Sequence, residues 1–328
     1  MLSRVADSVY WMSRYIERAE NVARFVDVNL QLLLDAPEGQ DQQWDPLVAI
    51  TGDYAEFGRR YGAATESSVI QFLTFDSDNP NSILSCVRAA RENARSVREI
   101  ISSEMWLQLN RFYLMMNSAA QEPGGLDHHE GFYDEVKQAG HLFSGITDAT
   151  MTQGEAWHFS RLGRMLERAD KTSRILDVKY FLLLRSAEDV GTPLDDLQWA
   201  AVLRSASAFE MYRKRQGRIS PRGVVDFLML DREFPRAVQF CLLAARDSLH
   251  AISGTPPGTF RHGSEKLLGQ LCSDLSFAGV DEVIQHGLHE YLDELQTKLN
   301  QVGLGIIETF FAFKTPHPGK KAARSAAQ

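Results

Sequence analysis

Two short stretches hold the residue types best suited to chemistry. One is Glu17-Arg18, flanked by Arg14 and Arg24; the other is Glu167-Arg168, flanked by Arg164 and Arg174. Guanidinium forks grip carboxylate or phosphate in a bidentate manner. A glutamate in a partly dry cleft, its pKa raised by burial, can act as general base. The stretches are versions of one another: residues 14–28 and 164–178 agree at seven of fifteen positions, five of them charged. Those five are Arg14, Glu17, Arg18, Arg24 and Asp27 against Arg164, Glu167, Arg168, Arg174 and Asp177. Apolar positions drift instead, Tyr15 to Met165, Ile16 to Leu166 and Phe25 to Ile175. Surface charge is ordinarily the cheapest thing to change, so its retention in both copies implies a task.

On a helix, the apolar stripe of Tyr15, Ala19, Val22, Val26, Leu30 and Leu33 leaves Glu17 nearly opposite, with Arg18 at the stripe's edge. Three readings of the charges stay open. They form a solvated face laced with i,i+4 pairs; or they are buried pairs whose loss is costly; or two arginine-rich faces, related by a pseudo-twofold, converge on a groove that binds an anion.

Other signals are weaker. Glu155 and His158, and Asp247 and His250, have the Glu-x-x-His spacing of di-iron bundles. That site needs two such motifs plus two more carboxylates, and the first-copy matches are Val5 and Ser8. His286 and His289 lack a third zinc ligand. His128-His129-Glu130 reads as a loop at a helix start, and the Gly254–Gly263 loop lacks the Gly-Lys-Ser/Thr ending of a phosphate loop. No metal or cofactor is therefore expected. Asp76 and Asp231 read as caps, with Arg91 and Arg246 as candidate partners for them or for the Glu-Arg helix. The basic run from Arg213 to Arg222 reads as a solvated helix end or a docking patch.

The elements that must position these residues are helical nearly throughout. The repeat continues past the first helix at an offset of 155: Trp44 matches Trp199, Phe72 matches Phe227, Asp76 matches Asp231, Pro80 matches Pro235 and Cys86 matches Cys241. A period this long means two tandem domain-sized units, 1–152 and 153–313. Residues 314–328 read as a disordered basic tail. Helices are expected over 44–61, from an Asn79 cap with Pro80 at the first position, over 102–118, over 130–147 and over 280–313. The run Val69–Phe75 reads as a buried helical turn. The fold class is all-α, two pseudo-symmetric helical repeats packed into one bundle.

A net charge of −8 argues against general nucleic-acid binding. No apolar run approaches the roughly 18–20 residues that span a bilayer, and no signal peptide stands at the N-terminus. Three cysteines, Cys86, Cys241 and Cys272, read as buried thiols in a reducing cytoplasm.

The duplicated Glu-Arg elements, the opening Met1–Glu20, and the stretches 78–83 and 88–98 resemble the bacterial alpha-E domain family over roughly residues 1–313. The resemblance implies an all-helical domain encoded beside, or fused to, circularly permuted ATP-grasp ligases, with transglutaminase-like peptidases as further neighbours. It brings no catalytic assignment. With no nucleophile–base pair legible, the expected function is that of a non-catalytic helical partner of an amide or peptide ligase. It would bind the ligase, or a carboxylate-bearing peptide, through Arg14, Glu17, Arg18, Arg24, Arg164, Glu167, Arg168 and Arg174. The alternatives are an enzyme of amide chemistry using Glu17 or Glu167 as base, and a purely structural duplication. Oligomeric state stays open, a homo-oligomer included.

Overall fold

A computed structural model describes residues 1–35, 44–121, 131–178 and 193–312, and among these it contains fifteen α-helices and no strand. The chain is all-α. The first half holds α1 (Ser3–Asp35), α2 (Asp45–Thr51), α3 (Tyr54–Tyr61), α4 (Glu66–Ile70), α5 (Ile83–Ser96), α6 (Ser103–Ala119) and α7 (Phe132–Thr150). The second holds α8 (Glu155–Val178), α9 (Pro193–Ser205), α10 (Phe209–Gln216), α11 (Pro221–Leu230), α12 (Val238–Ser253), α13 (Gly263–Phe277), α14 (Val280–His286) and α15 (Leu288–Ile306). Single π-helical turns follow α4, over Gln71–Phe75, and α15, over Ile307–Phe311. The first of these is the buried helical turn expected from Val69–Phe75.

Local sequence explains the boundaries. Ser82, Ser102 and Ser220 each accept a backbone N–H from three residues on and so start α5, α6 and α11. The expected helix over 44–61 breaks at Gly52, whose φ of +82° suits a residue without a side chain. The expected helix over 280–313 breaks likewise at Gly287, φ +101°. Asn79 is not the cap of α5. Its Nδ2 donates to the Phe72 carbonyl and its Oδ1 accepts from the Asn81 N–H, so it folds a turn before the helix that Ser82 begins. The helix expected over 130–147 runs from Phe132 to Thr150. His128, His129 and the 314–328 tail lie outside the described residues.

α1 and α8 lie side by side at the centre. α1 also packs on α5 and α7, and α8 on α12, α15 and α2. The two central helices approach closely where Gly163 of α8 faces α1: a Cβ there would fall 2.5 Å from the Tyr10 carbonyl oxygen. One continuous apolar core runs through both halves of the chain. The aromatic end of the last turn joins it, with Phe311 5.3 Å from Tyr10 and 5.8 Å from Phe159, ring centre to ring centre.

Candidate functional site

α1 and α8 present their Glu-Arg pairs to each other. Glu17 is 1% exposed and Glu167 fully buried. Arg168 grips Glu17 with both arms of its fork, Nε to Oε1 at 2.8 Å and Nη2 to Oε2 at 2.7 Å. Arg18 grips Glu167 in the same way, Nε to Oε1 at 2.7 Å and Nη2 to Oε2 at 3.0 Å. Each arginine therefore serves the glutamate of the other dipeptide. Further donors complete both shells. Arg236 Nη1 and Asn21 Nδ2 each lie 3.0 Å from Glu17 Oε1, and Arg14 Nε lies 2.8 Å from Glu167 Oε2.

Burial alone would raise the pKa of both carboxyls. The Arg168 and Arg236 charges outweigh it at Glu17, and Arg18, Arg14 and Lys171 outweigh it at Glu167. Glu17 therefore ionises below the usual 4.5 and Glu167 well below it. A general base needs the opposite shift. Both carboxylates are anchored ions, fixed in place by bidentate partners.

The remaining repeated charges are also paired across helices or along a turn. Asp27 takes Lys137 Nζ of α7 at 2.6 Å, and Asp177 takes His289 Nδ1 of α15 at 2.6 Å. Arg24 contacts Glu20, and Arg174 Nε donates to Asp170 at 3.0 Å, each one turn back. Arg164 departs from the pattern. It reaches Asp148 of α7 at 3.3 Å, whereas its counterpart Arg14 joins Glu167.

The surroundings of the two glutamates differ in a way that follows from three repeat positions. Beside Glu17, Arg236 fills the space and also contacts Glu20, while Ser207 Oγ accepts from Arg24. Ser207 holds a left-handed backbone, φ 48°. At the repeat offset, Arg236 is replaced by Asn81 and Ser207 by Gly52, and Asn21 by Lys171. Beside Glu167, Lys171 supplies the third cation from within α8, its Nζ 3.8 Å from Glu167 Oε1 and 3.3 Å from Asp170. Charge is made up from inside the helix, but volume is not. The result is a cleft of about 420 Å³. Its polar side is Arg14, Arg18, Asn81, Asp170, Lys171 and Arg174; its apolar side is Trp11, Leu166, Leu299, Leu304 and Ile307. A separate gap of about 10 Å³, bounded by Ser13, Phe143, Thr147 and Arg164, adjoins Glu17.

Of the residues picked from sequence, Arg14, Arg18 and Arg174 thus come together on one open cleft, with Glu167 beneath it. Glu17 and Arg168 form the matching pair in the closed half, and Arg24 is buried there. Arg164 stands apart on Asp148. Sequence reasoning missed Lys171, Asn81, Gly52 and Arg236. Their signal lay in the offsets 150 and 155, as positions where the copies disagree.

The weaker candidates find other partners. Asp76 and Asp231 stand at the C-terminal ends of the π turn and of α11, and neither is the N-cap of the helix that follows, where Ser82 and Ala237 stand. Asp76 accepts from Arg60, Tyr61 and the Asp78 N–H at 2.9 Å each, and Asp231 holds Arg215 and the N–H groups of Glu233 and Phe234. Their arginine partners are Arg60 and Arg215, not Arg91 and Arg246, which reach Asn110 and Asp247. In the basic run, Arg215 also reaches Glu233 and Arg222 reaches Asp281. Glu155 meets the N-terminal amine, His250 Nδ1 the Thr255 carbonyl, and His286 Glu294. No group of three or more His, Cys, Asp or Glu side chains placed to hold a metal occurs among the described residues. All three cysteines are free and buried, and burial pushes their thiols up to about 12. No helix among the described residues is long and apolar enough to cross a membrane. A second recess, about 440 Å³ between α13, α14 and α15, is lined by Asp274, Glu282, Glu294 and Lys298 and holds none of the repeated charges.

Comparison with known proteins gives one family. The model of the Alpha-E family, a predicted alpha-helical domain with a conserved ER motif, matches residues 1–311. Glu-Arg occurs in the chain only at 17–18 and 167–168. Uncharacterised proteins of Mycobacterium bovis and Mycobacterium tuberculosis are 23% identical over 338 residues, which cover 96% of this chain and 37% of theirs. The chain spans little more than a third of the length of these curated relatives. No solved structure matches.

Proposed function

Since the chain belongs to the alpha-E family, its Glu-Arg motif is what a function must explain, and we propose that the motif builds a binding module rather than an active centre. In this reading the reciprocal Glu17–Arg168 and Glu167–Arg18 pairs lock α1 against α8, and the cleft beside Glu167 is the working surface. The module serves as a helical accessory of an ATP-grasp-type amide or peptide ligase, holding the ligase or a carboxylate-bearing peptide. The two halves, 1–152 and 153–313, are read as products of duplication in which only one retains an open site.

The single observation that carries the proposal is the cleft itself: about 420 Å³, rimmed by Arg14, Arg18, Lys171 and Arg174 beside an apolar wall. Ligand sites combine such a wall with a few placed polar groups at this size. The ligase and the transglutaminase-like peptidase enter from family resemblance. The greater length of the curated relatives suits a module that works with further machinery. The purely structural reading is favoured for Glu17, Glu167 and Arg168 by their burial and full pairing, and it is compatible with a ligand-binding role for Arg174 and Lys171. The enzymatic reading has no support from the carboxylates, which ionise too readily to serve as bases.

Co-purification with a circularly permuted ATP-grasp ligase from the same organism tests the proposal. Association that raises ligase turnover is the expected result. A ligase that neither binds this protein nor changes its rate in its presence would end it.

A further inference from the structure

The donors on the rim of the cleft differ in what they have left to give. Arg14 and Arg18 spend Nε and Nη2 on Glu167. Arg18 Nη1 donates to Asn81 at 2.6 Å, and Arg14 Nη1 to the Tyr10 hydroxyl at 3.1 Å. Arg174 is different. Its Nε is on Asp170, but its two terminal nitrogens meet no acceptor among the described residues. In the other half the matching Nη1 of Arg24 ends on Ser207 Oγ. Here the residue is Gly52, where even a Cβ would already stand 3.3 Å from Arg174 Nη1. An oxygen present in the closed half is missing in the open one. Lys171 shows the same incompleteness: it is only 6% exposed, yet its ammonium reaches carboxylates at no less than 3.3 Å.

Charge sets the kind of anion. Four cations on the rim face Glu167 and Asp170, and Asp53, which accepts from Asn81 Nδ2 at 2.9 Å, leaves a surplus of one positive charge. Asp177, one turn beyond Arg174, contacts His289 Nδ1 at 2.6 Å. A single surplus suits a monoanion better than a dianionic phosphate. Opposite the cations, Leu299, Leu304 and Ile307 offer an apolar wall, and the Trp11 ring lies at 5.0 Å from the Arg14 guanidinium.

We infer that this cleft is a single site for the C-terminal carboxylate of a peptide whose last side chain is apolar. Arg174 takes the carboxylate through its terminal nitrogens, in the place that Ser207 Oγ fills in the other half. Lys171 supplies the second donor, and the last side chain lies against Leu304 and Ile307. One chain binds one peptide, because Arg236 occupies the corresponding space beside Glu17. The inference rests on the accessory-module reading and names the ligand of its cleft.

The test is calorimetric titration of the full chain with three peptides: acetyl-Ala-Ala-Leu with a free C-terminus, its C-terminal amide, and acetyl-Ala-Glu-Leu amide. The free acid is expected to bind at one per chain and the amide about tenfold or more weakly, the loss typical of one charge-assisted pair. Arg174→Gln should weaken the free acid by a similar factor. The double variant Asn81→Arg with Lys171→Asn recreates the filled half, and it should abolish binding while a melting curve shows the fold intact. Equal binding of acid and amide, equal binding of the glutamate amide, stoichiometry of two, or stronger competition by inorganic phosphate than by acetate would each overturn the assignment. Ligase association by a chain indifferent to all three peptides would remove this inference and leave the accessory reading. Peptide binding without ligase association would do the reverse.

Discussion

Replacing Arg168 by alanine isolates what the reciprocal pair contributes. Glu17 would keep Arg236 and Asn21 but lose both arms of the fork at 2.7 and 2.8 Å, inside a site 1% exposed. Removing one partner of a buried pair costs about 3–5 kcal/mol, because the other charge is left in a medium that solvates it poorly. With an unfolding entropy of roughly 2.1 cal/mol/K per residue, a chain of this length loses about 1.5 °C per kcal/mol, so the midpoint should fall by about 4–7 °C. The pH dependence gives the sharper signature. In the parent chain Glu17 ionises below 4.5, so its pairing stabilises the fold above that value and is lost as pH falls through the lowered pKa. In Arg168→Ala, burial acts against a weaker set of charges and moves the carboxyl upward. The penalty is then full at pH 7 and relieved as acidification protonates Glu17. Differential scanning calorimetry at pH 7 and pH 4.5 should show the gap between parent and variant narrowing at the lower pH. A gap below about 1 kcal/mol, or one that stays the same at both pH values, would refute the argument.

Two further outcomes follow from packing. Gly163→Ala gains about 1 kcal/mol of helix propensity, but its Cβ would stand 2.5 Å from the Tyr10 carbonyl oxygen. Forcing α1 and α8 apart costs about 1–3 kcal/mol, so thermal melts should show a lowered midpoint, and a raised one would contradict the close approach. Cys86, Cys241 and Cys272, buried with thiols pushed up to about 12, should resist maleimide in the native protein and react fully in denaturant; rapid native labelling would contradict their burial.

The fold class was legible because a 3.6-residue apolar period survives in helices such as α1, α5 and α7, and α6 came within a residue of its expected bounds. The misreadings arose where one residue had two local uses. Asn79 before Pro80 looks like a cap, yet its amide folds the turn and Ser82 caps the helix. Gly52 and Gly287 sit in otherwise helical patterns, and sequence alone does not say which glycine takes a positive φ; Gly58, also in such a pattern, stays helical. The duplicated charges pointed to residues that the structure pairs across the two helices, but not to their partners. A charge opposite an apolar stripe reads the same whether water or a second helix covers it, and here α8 covers α1. The cleft was hidden more deeply. It depends on Asn81, Gly52 and Lys171, positions where the copies differ, whereas a search for retained charge selects positions where they agree.

The central claim is that each Glu-Arg dipeptide works across the helix interface, Glu17 with Arg168 and Glu167 with Arg18. Double-mutant cycles on unfolding free energy test it directly, using Glu17→Met, Arg168→Met and Arg18→Met. Glu17 and Arg168 should couple by more than about 1.5 kcal/mol, while Glu17 and its sequence neighbour Arg18 should be additive within about 0.5 kcal/mol. Additivity across the interface, with coupling confined to neighbours in the chain, would contradict the account.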